Sequence, residues 1–187
     1  MRKFIKTRVT RKQFEQGVEL MLTPVEVDVR FLKPDNYIGF PFWNELQHLI
    51  WICGAEARGE QSDGIQAVAH VIMNRQRLQY AYFGLTIREV IHKCSKAGIY
   101  QFSAADSRDN NFDWIGECAN STFYKVAKAV VPVYTNQTEP TNPRMLYYHS
   151  SDIQVPKFFR EKLSPCLQLG KHIFYLDVNI PDSHIIG

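Results

Sequence analysis

The chain has 187 residues, a formal net charge of +3, 45% hydrophobic residues and 22% charged residues, which suits one globular domain and is too short for two comfortable ones. No apolar run approaches the roughly 20 residues that span a bilayer, and the basic start lacks the apolar stretch of a secretory signal. The four cysteines, Cys53, Cys94, Cys118 and Cys166, show no C-x-x-C spacing; buried, reduced thiols are expected, with no metal site and no cofactor.

The positive excess gathers at the N-terminus, where Arg2, Lys3, Lys6, Arg8, Arg11 and Lys12 precede the first acid, Glu15. Such an arm reads first as a solvated terminus, and otherwise suits an anionic polymer or an acidic partner. No aromatic-interleaved basic patch follows it, so nucleic acid is not the expected ligand. Lys12 to Leu22 has the spacing of a short helix, and Val25, Val27, Val29 and Phe31 alternate with charged residues as a half-buried strand does. Pro34, Asn36, Gly39 and Pro41 then make a loop. Residues 1–42 read as an extension that packs on the main domain or docks a partner, and 43–187 as the main domain.

Trp43, Leu46, Ile50, Cys53 and Ala57 recur at helical spacing and run into the stretch Ala55 to Glu60. Glu56 shares a flank of that helix with Leu49 and Ile52, and Gly59 is the expected stop. A carboxylate in a last helical turn lies at the negative end of the macrodipole. Burial disfavours the anion as well, so both effects raise its pKa. An acid still protonated near neutral pH can protonate an ether-like leaving oxygen. The plainer reading is a surface carboxylate paired with Arg58.

After Gly59, Asp63 and Gln66 have the spacing of a capping box for a second helix, with Ile65, Val68, Ala69, Val71 and Ile72 apolar and Asn74 and Arg75 closing it. Thr86 and Glu89 form another box before a short third helix. Gly98 to Gly116 is polar; its acids and amides lack the order of a calcium loop and read as a solvated loop over a cleft. Ser121 to Val131 is a helix, Met145 to His149 a strand, Val155 to Leu163 a short helix begun by Pro156, and Gly170 to Asp177 a closing strand. The expected class is α+β, a mainly helical domain with a small late sheet.

Several ordered blocks together resemble the cell wall hydrolase family of the spore-cortex-lytic enzyme type. They are Ala55 to Glu60, Gly64 to Arg75, Thr86 to Ile91, Gln101-Phe102-Ser103, Tyr147-Tyr148-His149, Pro156 to Phe159, and Gly170 to Tyr175. The resemblance spans about residues 46–176 and leaves the first forty without a counterpart. Ile99 and Tyr100 are larger than the family often carries there, and Lys171 stands where Asn is frequent.

The resemblance implies a lysozyme-like, lytic-transglycosylase-like fold in which Glu56 protonates the glycosidic oxygen between N-acetylmuramic acid and N-acetylglucosamine. It implies that no second carboxylate is needed, because the muramic acid's C6 hydroxyl attacks and a 1,6-anhydromuramoyl end results. Glu60, Gln101, Ser103, Tyr147, His149, His172 and Tyr175 match blocks expected at the substrate; Phe102 and Phe174 are expected to pack. Two alternatives stand beside this. One is a hydrolytic muramidase in which Glu60 or Asp106 places a water; the other is a non-catalytic peptidoglycan-binding or virion component. The expected partner is the glycan strand of bacterial peptidoglycan. With no export signal in view, the expectation is a bacteriophage protein made in the cytoplasm that meets the wall from a virion or at lysis, with residues 1–42 docking other virion proteins.

Overall fold

A computed structural model describes residues 43–139, 141–181 and 183. The helix expected over 12–22, the strand over 25–31 and the extension as a whole lie outside the described residues.

Helix α1 (Glu45–Ala57) begins with a capping box. The Gln47 N–H donates to Asn44 Oδ1 at 2.9 Å and the Asn44 N–H to Gln47 Oε1 at 3.0 Å, which satisfies two donors that a helix start leaves open. Every residue from His48 to Ala55 is buried. A helix apolar around its whole circumference belongs in a core, and α1 packs against α2 (Ser62–Arg77), α3 (Ile87–His92) and α5 (Asn120–Tyr134). The short α4 (Trp114–Glu117) crosses it at Gly54, where a Cβ would lie 1.9 Å from the Trp114 ring. Trp114 Nε1 donates to the Trp51 carbonyl at 2.8 Å and Trp51 Nε1 to the Phe112 carbonyl at 2.8 Å, so the crossing is bonded as well as packed.

Gly59 does not end α1 in the left-handed conformation expected of a stop glycine. Arg58 ends it instead, still right-handed, with its Nη1 donating to the Gly54 and Ala55 carbonyls at 3.3 Å each. Its Nη2 reaches Asn111 at 2.8 Å, so Arg58 is occupied by carbonyls and an amide and not by Glu56.

The Asp63 and Gln66 box does not form. Helix α2 starts two residues earlier, after an extended Gln61 that makes no side-chain cap. Asp63 serves as an acid in the first turn, at the positive end of the dipole. The helix also runs past Asn74 and Arg75 to Arg77, and both side chains turn inward. Asn74 Nδ2 donates to the Asn142 and Met145 carbonyls at 3.0 and 3.2 Å, and Arg75 Nε to the Leu146 carbonyl at 2.7 Å. These bonds fasten α2 to strand β1 (Met145–Ser150).

The box of Thr86 and Glu89 does form at α3. The polar stretch after Gly98 holds a 3₁₀ turn, Ser103–Ala105, and α4. Helix α5 runs further than expected, from Asn120 to Tyr134, with Pro132 in its last turn. Helix α6 (Lys157–Lys162) has Pro156 at its cap and no buried residue.

The sheet is antiparallel in the order β1-β3-β2, with β2 at Ser164–Leu169 and β3 at His172–Leu176. Strand β2 was not expected; most of its residues are exposed, and Pro165 suits an edge position. The class is α+β, with six helices and a small three-stranded sheet among the described residues. Among the described residues no helix is long and apolar enough to cross a membrane. All four cysteines are free thiols, but only Cys53 is buried; Cys118 is half-buried, and Cys94 and Cys166 are exposed.

Gly54→Ala is expected to destabilise the fold by about 1–3 kcal/mol, because the methyl must displace an indole held by a hydrogen bond. Gly59→Ala, with nothing within 4 Å of its Cβ, is expected to stay within about 0.5 kcal/mol of wild type. Urea unfolding of the pair tests the contrast.

Candidate active site

Glu56 sits in the last turn of α1, where the enclosed helix comes out at a cavity. Its Oε1 accepts the Ala104 N–H at 3.2 Å and its Oε2 accepts the Tyr148 hydroxyl at 3.0 Å. The 3₁₀ turn aims the Ala104 N–H, and buried Phe102 anchors that turn. Tyr148 comes from β1, opposite Phe174 in the register, and its ring packs near Phe102, Phe174 and His172.

Burial raises the Glu56 carboxyl above its ordinary range. The Ala104 N–H, the Tyr148 hydroxyl and the Arg75 charge pull the other way, while Asp109 adds to the rise. Burial also pushes the Tyr148 hydroxyl well above its ordinary value, with the Glu56 charge adding to it, so Tyr148 stays neutral. One turn back, the buried Cys53 thiol is pushed up in the same way and is inert.

The cavity has a volume of about 480 Å³ and brings together Glu56, Glu60, Arg75, Gln101, Ser103, Tyr148, His149 and His172, among others. Tyr147 and Tyr175, expected at the substrate, are not in its wall. Successive side chains on a strand point to opposite faces, and Tyr147 and Tyr175 pair on the face away from Tyr148. Tyr147 packs on Phe158 and Phe159, and Tyr175 on Phe159. His149 borders the cavity, but its ring stacks on Tyr175 and its Nε2 lies 2.9 Å from the Tyr175 hydroxyl. Phe102 and Phe174 are buried, as expected of packing residues.

Glu60 is pinned in the cavity wall. Its Oε1 accepts the Lys171 N–H at 3.3 Å and stands 3.7 Å from His172 Nδ1. Gly170, at φ +54°, leaves the room: a Cβ there would lie 1.6 Å from Glu60 Oε2. Burial lowers the His172 pKa despite the nearby Glu60 charge, so the ring beside Glu60 is neutral at neutral pH. Gln101 is also committed to the protein, accepting from Arg75 Nη1 at 2.9 Å and donating to the Tyr82 carbonyl at 3.2 Å. Ser103 is exposed at the rim.

Sequence reasoning passed over Tyr148 and Arg75. The signal for Arg75 was present, because it follows Val68, Val71 and Ile72 at helical spacing and so lies on the apolar face of α2. For Tyr148 the choice against Tyr147 needed the strand's parity. Asp106, the other candidate second acid, is held by Arg108 at 2.9 and 3.1 Å, which lowers its pKa to about 2. It lies in a neighbouring depression with Asp109, not in the Glu56 cavity.

No curated protein and no solved structure matches the chain. A family model, described as cell wall hydrolase, matches residues 59–175. The match starts just past Glu56, so the setting of that carboxyl stands on geometry alone, while Arg75, Ala104 and Tyr148 fall inside the matched span. On that match the chain belongs to the cell wall hydrolase family, enzymes that act on peptidoglycan.

Proposed function

We propose that this cell wall hydrolase is a lytic transglycosylase with a lysozyme-like arrangement, cleaving between N-acetylmuramic acid and N-acetylglucosamine with Glu56 as acid and then base. Neutral Glu56 gives its proton to the glycosidic oxygen as the bond from the muramic acid C1 breaks. The C6 hydroxyl oxygen then bonds to C1 and its proton goes to the Glu56 carboxylate. No water is consumed, and the product carries a 1,6-anhydro ring.

One observation carries this reading: the Glu56 carboxyl opens on the cavity with a different kind of donor on each oxygen. A backbone N–H only donates, so the Ala104 contact keeps Oε1 an acceptor and the acidic proton belongs on Oε2. There the Tyr148 hydroxyl can accept from the neutral acid and donate to the carboxylate. A hydrolytic muramidase is the second reading, because Glu60 shares the cavity. Against it, Glu60 is already bonded to the Lys171 N–H, and Asp106 is too weak a base.

Glu56→Gln is expected to fold and to lose cleavage of purified peptidoglycan by at least about 10²-fold. Mass spectrometry of wild-type products should show ends one water lighter than hydrolysis gives. A variant within tenfold of wild type removes Glu56 as the acid. The same variant tests the burial. Because the folded carboxyl binds its proton to higher pH than the unfolded one, wild-type stability falls as pH rises above the ordinary value of 4.5. Gln has no proton to lose, so its advantage in melting temperature should grow over that range and level off below it.

Glu60→Gln is expected to lower turnover less than Glu56→Gln, and Gly170→Ala to disturb the same wall by driving a methyl into the carboxyl. Equal, near-total losses in a folded Glu60→Gln protein with hydrated products would favour the hydrolase.

We also propose that the protein is phage-borne and that residues 1–42 serve location and not chemistry, since the sequence blocks tied to the site, from Ala55 to Glu60 onward, lie beyond them. Deleting residues 1–12 removes six positive charges and should leave turnover on soluble glycan fragments unchanged. Loss of turnover in a folded truncation would place the arm in the site.

A further inference from the structure

Arg75 brings a full charge into the cavity wall, and among the described residues no carboxylate forms an ion pair with it. The residue is 5% exposed. Nε donates to the Leu146 carbonyl and Nη1 to the Gln101 side-chain oxygen, both neutral acceptors. Its guanidinium carbon lies 4.9 Å from the Phe102 ring centre, 5.1 Å from Tyr147 and 5.2 Å from Phe83. Ring faces attract a cation without neutralising it.

Burying an uncompensated charge is unfavourable, and fastening α2 to β1 does not require one. Asn74, the adjacent residue, makes the same kind of bond to the same strand with a neutral amide. What Arg75 adds is charge, and the group within its reach that changes charge during the proposed reaction is Glu56. Both line the same cavity, where a fixed cation favours the ionised form of Glu56.

We infer that Arg75 is a positioning residue whose buried charge supports the ionised Glu56 that exists between the two proton transfers. The inference rests on the acid–base role proposed for Glu56. Other groups face that carboxyl from each side. Tyr148 on β1 and the Ala104 N–H also favour the anion, and Asp109 before α4 opposes it. Cys53 on α1 stays protonated, and His172 on β3, beyond Tyr148, stays neutral. Glu60 lies further along the wall, engaged by the β2–β3 turn. Lys171, also in the wall, has its ammonium paired with Asp152, so among the described residues Arg75 is the cation that acts on Glu56.

The test is a carbon-13 titration of glutamate carboxyls in the full chain, with Glu56 assigned by its absence in Glu56→Gln. Two variants remove the charge by different routes. Arg75→Met deletes it, and Gln101→Glu answers it with a carboxylate at a half-exposed position, where a charge is less costly to the fold than a lost Arg75. In both, the Glu56 midpoint should move to higher pH. The alkaline limb of kcat should move with it, and kcat should fall roughly tenfold or more, below the 10²–10³ of a donor that touches the reacting atoms, with KM little changed. Arg75→Lys, which keeps the charge, should restore the midpoint and most of the turnover.

An unmoved midpoint in folded Gln101→Glu or Arg75→Met overturns the inference while leaving an inactive Glu56→Gln, and with it the acid–base reading, intact. A midpoint that moves as expected in a protein whose Glu56→Gln variant still cleaves peptidoglycan overturns the acid–base role and, with it, the use assigned to Arg75.

Discussion

The Glu56 carboxyl must be satisfied by protein, because the helix that carries it is enclosed on every side. From His48 to Ala55 no residue of α1 reaches solvent appreciably, so water meets this helix at its end and not along its flank. A carboxyl there needs donors from elsewhere in the chain, each hydrogen bond to the charged form contributing about 1.5–3 kcal/mol. They come from the Ser103–Ala105 turn and from β1, 48 and 92 residues away in sequence. Those bonds constrain the rest. The polar loop must return over the end of α1, and the sheet must lie close enough to α2 for Tyr148 to reach across. Asn74 and Arg75 hold it there.

Neighbours in sequence divide the labour. Tyr147 joins the aromatic cluster beneath α6 while Tyr148 bonds Glu56. Asn74 ties helix to strand neutrally while Arg75 does so with a charge exposed to the cavity. At the β2–β3 turn, the Lys171 backbone holds Glu60 and the His172 ring stands beside it, in space that a Gly170 side chain would fill. A strand turns alternate residues to opposite faces and a helix moves each neighbour round by 100°, so a one-residue shift would exchange these duties.

What could be read from the sequence was whatever repeats or acts locally. The apolar spacing of α1, α2 and α5 and the Thr86 and Glu89 box gave helices because burial sets a period and a cap is a four-residue event. Strand β2 left no such mark: exposed on most positions, it has no apolar alternation to read. The end of α2 was placed too early because Asn74 and Arg75 are polar, although tertiary bonds to β1 carry them inward. Glu56 was legible since the helix that buries it also positions it. Its partners were not, and the choice of Tyr148 over Tyr147 needed the strand's parity, which adjacent tyrosines leave open in sequence.

An acid that gives up a proton and takes it back within one cycle is poorly served by an environment that strongly prefers either state. Around Glu56 the influences oppose each other: burial and Asp109 favour the neutral acid, and Ala104, Tyr148 and Arg75 favour the anion. They differ in whether they can follow the charge. The Ala104 N–H and the Arg75 guanidinium are fixed and present the same field to both states. The Tyr148 hydroxyl can rotate, donating to the carboxylate and accepting from the acid, and burial keeps it from ionising in its turn. On the proposed role, the fixed groups set how far apart the two states lie, and Tyr148 keeps Oε2 hydrogen-bonded in each of them.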